Sequence, residues 1–366
     1  LWLSASLGFV FASLVSAGDW PRFRGPNGSG ISPDQRPVPV TWSETENLKW
    51  KIDLPGPGSS SPIVVGDKVF VTCWTGYATQ RGDPGDQQDL RRHLICVARQ
   101  TGEVLWDQAV EHVLPEDPYS GMFTQHGYAS HTPVSDGQRV YAYFGKTGMV
   151  AFDLDGKRLW QKSVGTESGP QGWGSASSPI DFKNLVIATA SAESEALVAL
   201  NKETGEEVWR KEAAGFSGTW GTPVLVDCGG GRTDLVLAVP FEIWSFNPED
   251  GKLRDLKPDL ILTHWKDELT YPTHWRAAQS VIQAAQLADG SWDIRFFEPN
   301  IGSAGRVGFV PDHYVDISDV FERKCELLRL HQSQMRNMEQ FGGWDLVTYS
   351  KVANAFRGMQ CGVAYA

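Results

Sequence analysis

The chain has no adjacent pair of cysteines, no CxxC, no two neighbouring aspartates and no cluster of five or more lysines and arginines. Each absence excludes a chemistry. Five scattered cysteines (Cys73, Cys96, Cys228, Cys325 and Cys361), an odd number, build neither a disulfide framework nor a zinc knuckle. The balance of 33 Lys and Arg against 44 Asp and Glu leaves a net charge of -11, which argues against a nucleic-acid partner. Gly229-Gly230-Gly231 is not followed by Lys and Ser or Thr, so it reads as a hairpin connection and not a phosphate loop. A GxSxG elbow for nucleophilic Ser-His-Asp chemistry is also missing. No apolar run is long enough to cross a bilayer. The longest, residues 2–17, is uncharged and ends in Val15-Ser16-Ala17, a small-x-small cleavage pattern. It predicts a signal peptide over residues 1–18 and export to the periplasm or the exterior. The alternative for this run is a buried N-terminal strand.

Glycine, proline and tryptophan are plentiful instead: 38, 21 and 15 in 366 residues. That composition suits many short strands joined by tight turns. One unit recurs. LVALNKETGEEVW places a small residue (Ala199), a turn glycine (Gly205) and Trp209 in a fixed order. LICVARQTGEVLW repeats it with Cys96, Gly102 and Trp106. VAFDLDGKRLW repeats it with Ala151, Gly156 and Trp160, one residue shorter before the turn. IWSFNPEDGKLRD keeps Ser245 and Gly251 but has Asp255 where the tryptophan belongs.

A hairpin recurs beside it, opened by Ser61-Pro62, Thr132-Pro133, Ser178-Pro179 and Thr222-Pro223, with the prolines 71, 46 and 44 residues apart. The long first step contains two loops, Gly76 to Asp89 and Glu111 to Tyr128. Ahead of it, NLKWKIDL with Trp50 reads as the first member of a strand pair. Four strands every 45 or so residues is the arithmetic of a propeller blade. On this reading a small residue in an inner strand leaves room for the neighbouring unit's ring. Each docked indole buries on the order of 200 Å². The fold class expected is mainly β: a partial β-propeller of about four four-stranded blades over residues 19–254, then an α/β half-domain.

Residues 19–254, from WPRFRGPNGSGIS through the tryptophan units, resemble the PQQ-like, tryptophan-docking β-propeller repeats. These occur in quinoprotein alcohol dehydrogenases and in outer-membrane assembly lipoproteins of the BamB type. Closed rings of that kind have more blades than the four counted here. The quinoprotein members carry adjacent cysteines beside the cofactor, and this chain has none, so the resemblance does not extend to PQQ.

From Asp255 the texture changes to α/β alternation. A strand is expected at Leu260 to Thr263, then a helix capped by Thr273 with Val281, Ile282 and Ala285 on its apolar face. RFFEPN reads as another strand. HYVDISDVFERKCELLRLHQSQM reads as a strand, a cap at Ser318, and a helix with Phe321, Cys325 and Leu328 on one face. PDLILTH, YPTH, VDISDVFERKCELLRLHQSQ and FRGMQCGVAYA together resemble the C-terminal half of the PIG-L/LmbE family, zinc-dependent deacetylases of N-acetylglucosamine-type substrates. The resemblance implies a single zinc ligand at His274 and pocket positions at His264, Tyr271 and His331. The family's His-Pro-Asp-Asp motif, which supplies two further ligands and the base, is absent here, and Tyr271 stands where a second histidine belongs. Asp267 and His264 are candidates to complete a site with His274, and no fixed spacing supports it; zinc catalysis needs three protein ligands and an open position.

Histidines 93, 112, 126 and 131 fall in or beside the long loops and read mainly as solvated, with His126 to His131 as the alternative lining of a central funnel. Three functions follow as expectations. The first is an exported, non-catalytic binding or scaffold module for a cell-envelope protein or polymer. The second is a zinc-dependent N-deacetylase. The third is a non-functional fusion of two gene fragments near Lys252-Leu253-Arg254-Asp255.

Overall fold

The computed structural model describes residues 18–366 apart from 33, 35–37, 81, 241, 255–259, 268–271, 288–292, 298–307 and 344. The expected leader at 1–18, apart from Gly18, lies outside the described residues, as do Asp255 and Tyr271. The chain divides into two units, Leu1–Leu256 and Lys257–Ala366.

In the first unit the alternating apolar segments fold as four antiparallel sheets of four strands, each in simple chain order. Blade one holds β1 (Ile63–Val65), β2 (Lys68–Thr75), β3 (Arg91–Ala98) and β4 (Val104–Glu111). A single helical turn, α1 (Phe123–His126), lies in the connection to blade two: β5 (Val134–Ser135), β6 (Arg139–Tyr143), β7 (Met149–Asp153) and β8 (Arg158–Lys162). Blade three is β9 (Ile180–Phe182), β10 (Leu185–Ala190), β11 (Ala196–Asn201) and β12 (Glu207–Glu212). Blade four is β13 (Val224–Asp227), β14 (Thr233–Val239), β15 (Glu242–Phe246) and β16 (Leu253–Arg254). The segment containing Trp50 is not a strand.

Side-chain alternation explains why the blades stack. Successive residues of a strand face opposite ways, and in the middle blades both faces are covered. Val186, Ala188 and Ala190 of β10 pack with Tyr141, Tyr143 and Met149 of blade two. Leu185 and Ile187 of the same strand pack with Leu235, Leu237 and Phe246 of blade four. Blade two likewise turns Val140, Ala142 and Phe144 toward Ile63, Phe70 and Leu94 of blade one.

Two devices lock neighbouring blades together. The first is the indole. Trp106 donates its Nε1–H to Leu154 O (3.1 Å), Trp160 to Lys202 O (3.0 Å) and Trp209 to Pro248 O (3.1 Å). In each case the acceptor sits just before the next blade's turn glycine. Each ring lies flat over that glycine: a Cβ on Gly156 would meet Trp106 Cδ2 at 2.8 Å, one on Gly205 would meet Trp160 Cδ2 at 2.6 Å, and one on Gly251 would meet Trp209 Cε3 at 2.6 Å. Glycine therefore serves twice, for its positive φ and for its bare face. The expectation that the small column receives the neighbour's ring is corrected. Cys96, Ala151 and Ala199 stand opposite their own sheet's Trp106, Trp160 and Trp209, each next to a register shift. Trp50, outside any strand, covers Gly102 and donates to Arg99 O (2.9 Å), so it does for blade one what the preceding blade does elsewhere. In blade four Arg254, not an indole, is opposite Ser245.

The second device is the hydroxyl before each proline. The Ser61 amide donates to Thr132 Oγ1 (2.9 Å), the Thr132 amide to Ser178 Oγ (3.0 Å), and the Ser178 amide to Thr222 Oγ1 (2.9 Å). A single ladder of hydrogen bonds thus runs through all four blades. Alongside it, the turn-rich segment that opens the unit crosses the first strands. Trp20 pairs with Val64 in β1, Pro21 O accepts from the Ser135 amide of β5 (2.8 Å), and Gly28 lies against Val224 of β13. Burial lowers the Arg22 pKa, and Asp181 of β9 opposes that shift.

In the second unit β17 (Leu260–His264) and β18 (Asp293–Phe297) pair in parallel, with helix α2 (Pro272–Leu287) between them in sequence. Three helices follow: α3 (Phe321–Leu330), α4 (Gln332–Gly342) and α5 (Leu346–Cys361). Two expected caps are corrected. Proline takes the first helical position of α2, which puts Thr273 inside the first turn. Ser318 begins a separate 3-10 turn before α3, where its hydroxyl bonds Asp316 Oδ1 and accepts from the Tyr365 amide. The segment before Ser318 is not a strand. Phe321 and Cys325 of α3 are buried, and Phe321 stacks on Tyr365 with ring centroids 3.8 Å apart.

Gly205→Ala, which meets both a φ of 71° and the Trp160 ring, is expected to cost about 2–4 kcal/mol. Gly66→Ala, at φ 55° with open space around it, is expected to cost about 1 kcal/mol. Urea unfolding of both variants measures the difference; equal losses would remove the second role assigned to glycine.

Candidate functional site

One end of the blade array gathers the connections from second to third strand and from blade to blade. There the loops enclose a cavity of about 20 Å³, bordered by Arg92, Glu116, Asp117, His126, His131, Lys146, Ser175 and Glu193 among others. That is room for one water or one small polar group. The loops reach it because each blade ends by climbing to this face and the next begins there.

The walls are ionic but compensated. Arg92, buried in β3, donates Nη1–H to Glu116 Oε1 (2.7 Å) and Thr147 Oγ1 (3.0 Å), and Nε–H to Tyr128 O (3.0 Å). Lys146 donates to Asp117 Oδ1 (3.3 Å), Ser168 Oγ (2.9 Å) and Pro115 O (3.3 Å). Glu193 is buried and accepts from Tyr143 Oη (2.8 Å) and Ser175 Oγ (2.7 Å). Burial raises the Glu193 pKa against the pull of those two donors.

His131 is the singular member. Its ring packs on Tyr143 at 4.5 Å, and its Nε2 lies 3.1 Å from Ser175 Oγ. Because Ser175 spends its proton on Glu193, Nε2 carries the imidazole hydrogen and Nδ1 is left with a bare lone pair. Nδ1 is buried and has no partner, an arrangement worth about 1–3 kcal/mol of desolvation. Burial, helped by the nearby charges of His126 and Arg92, depresses the His131 pKa to about 3. The ring is therefore neutral at physiological pH.

Of the four front-half histidines, His126 and His131 both border this cavity. The solvated reading is corrected for three of them. His93 lies in β3, nearly buried, with Nδ1 2.8 Å from Asp107 Oδ1 and Nε2 2.9 Å from Thr75 Oγ1. His126 is part-buried, with Nδ1 2.8 Å from Ser130 Oγ and Nε2 3.0 Å from Trp173 O. His131 is buried. Lys146, Ser175 and Glu193 were not singled out from the sequence. They come from three different loops and share no spacing, and Glu193 stands in a polar turn, SAESE, that does not set it apart from Glu195.

Beside the cavity stands an aromatic pair. Trp173 and Trp220, 39% and 36% exposed, lie with ring centroids 5.2 Å apart and planes at 33°. Trp220 Nε1 donates to Gly174 O (3.1 Å), and Gly174 borders both the main cavity and a smaller one of about 10 Å³ lined by the two indoles, Gln171 and Ser168. Both tryptophans sit in blade-to-blade connections, on the same end as His131.

In the second unit His264 and His274 stack with ring centroids 4.0 Å apart and planes at 13°, and Phe297 meets His264 edge-on at 4.5 Å. Asp267 pairs with Lys266, and His331 is exposed at the junction of α3 and α4. Among the described residues no group of three or more His, Cys, Asp or Glu is placed to hold a metal ion.

Comparison with known proteins bears on the first unit. The family profile described as "Outer membrane protein assembly factor BamB" matches residues 85–242, which fold here as four-stranded blades. Among solved structures, BamB from Moraxella catarrhalis is 16% identical over 56% of this chain and 53% of its own, with a TM-score of 0.39. Quinohemoprotein alcohol dehydrogenase from Comamonas testosteroni is 15% identical over 66% of this chain and 41% of its own, with a TM-score of 0.42. The chain thus spans about half the length of the first and less of the second. No curated protein matches it. No described helix is long and apolar enough to cross a membrane.

Because the folded His131 pKa lies below the ordinary value of 6.5, the unfolded chain binds this proton first. Its contribution to stability is whole above pH 6.5 and is lost as pH falls toward 3, at about 1.4 kcal/mol per pH unit. Glu193, with a raised pKa, gives a slope of the opposite sign above its ordinary 4.5. His131→Phe is expected to flatten the pH 6.5-to-5 limb of a urea-midpoint profile; an unchanged slope would show that His131 is not buried neutral.

Proposed function

We propose that the chain is an exported, non-catalytic binding or scaffold module that holds a cell-envelope protein or polymer on the loop end of its blades. The observation that supports this most is the state of the ionic groups around the cavity: Arg92 with Glu116, Lys146 with Asp117, and Glu193 with Tyr143 and Ser175 are all engaged by one another. Groups so tied hold a surface in shape. A general acid or base needs a proton it can exchange with substrate, and repeat folds present broad faces without that need. The match of residues 85–242 to an outer-membrane assembly factor points the same way and to the cell envelope. Immobilised full chain exposed to envelope extract is expected to retain a partner that survives a salt wash. Retention of nothing overturns the reading.

The second unit enters this reading as a relict deacetylase-like domain without its metal chemistry. The alternative, a zinc-dependent N-deacetylase, draws on the approach of His264 to His274. Metal analysis of purified protein separates the two. Less than about a tenth of an equivalent of zinc, with no acetate released from N-acetylglucosamine derivatives, ends the deacetylase reading; a full equivalent with turnover establishes it. Sequencing independent clones across the codons for residues 240–270 tests the third reading, a fusion of two gene fragments.

A further inference from the structure

We propose that Trp173, Trp220 and the His131 cavity form one binding site for a neutral glycan chain; this rests on the binding-module reading and names its ligand. Three observations converge. The indoles are exposed and adjacent, tilted 33° to each other; Trp220 Nε1 is tied to Gly174 O and the Trp173 backbone carbonyl lies beside His126 Nε2, so an apolar aromatic surface exists before any ligand arrives. Pyranose rings present C–H faces that stack on such platforms, and pre-placed aromatic rings lose little freedom on binding.

The second observation is the unpartnered Nδ1 of His131. It is buried, it belongs to a residue that borders the cavity, and it bears a lone pair. The cavity has room for one small polar group, the size of a hydroxyl, beside the residue whose acceptor the protein leaves unpaired. The chain joins the two features directly: Trp173 stands in the platform, Gly174 borders both cavities, and Ser175 bonds His131. Gln171 and Ser168 beside the indoles add amide and hydroxyl groups for the ring's remaining hydroxyls.

The third is charge. The cavity's cations and anions are paired, and the chain carries -11 overall, so a polyanion is repelled while an uncharged polymer is not. A peptide is the weaker fit, because neither cavity is an apolar pocket large enough for a side-chain anchor.

Full-length protein titrated with cellohexaose, chitohexaose and maltohexaose, followed by calorimetry and tryptophan fluorescence, tests this. At least one hexasaccharide is expected to bind and to perturb the fluorescence. Trp173→Ala and Trp220→Ala, both at exposed positions, are each expected to weaken it about tenfold. His131→Phe, which keeps a ring against Tyr143, is expected to weaken it about as much while leaving the exposed platform in place. Binding that is unchanged in both tryptophan variants overturns the site. Failure of all three sugars to bind, with capture from envelope extract intact, overturns the glycan assignment and leaves the scaffold reading standing; failure of both removes both.

Discussion

An indole lying on a glycine is the contact on which the first unit depends. A sheet with two apolar faces is not a stable object by itself, and blades two and three here have two. The tryptophan of one blade is fixed by its own strand register and by a hydrogen bond to the next blade's turn, so position and orientation are set together. Because the ring needs a residue without a side chain beneath it, the same glycine that reverses the chain also sets the distance between blades. The hydroxyl ladder through Ser61, Thr132, Ser178 and Thr222 fixes the other end of the interface. Two anchors define the angle between neighbours, and with it the relative placement of loops contributed by different blades.

The site follows from that placement. Arg92 comes from blade one, Lys146 from a loop of blade two, Glu193 from a hairpin of blade three, and His131 and Ser175 from the connections between them. Their mutual geometry exists only if the blades hold their spacing. Burial then does the electrostatic work: it keeps His131 neutral and raises the Glu193 pKa, while Arg92 and Lys146 are paired with Glu116 and Asp117.

Much of the fold was legible because it is periodic. Gly102, Gly156 and Gly205, with Trp106, Trp160 and Trp209, repeat at a spacing that only stacked units explain, and the four Ser/Thr-Pro pairs mark where each blade begins. Trp50 escaped because it docks like its counterparts from outside any strand, where no repeat frames it. The partner of the small column was misassigned because sequence spacing does not say whether a ring packs within its sheet or across to the next. The cavity was legible only at His126 and His131, which are close in sequence. Its other members are brought together by stacking, over separations that no local motif records.

The segment from Asp19 to Gly30 touches β1, β5 and β13, so residues near the start of the unit are in contact with its fourth blade. The distance in sequence from Gly28 to Val224 makes this among the most costly loop closures in the unit. Blades one to three can assemble in the order they are synthesised, each on its predecessor, yet this segment finds its full set of neighbours only once the fourth has formed. A seam drawn from the start of the unit thus ties its first, second and fourth blades together, over and above the contacts each blade makes with its neighbour.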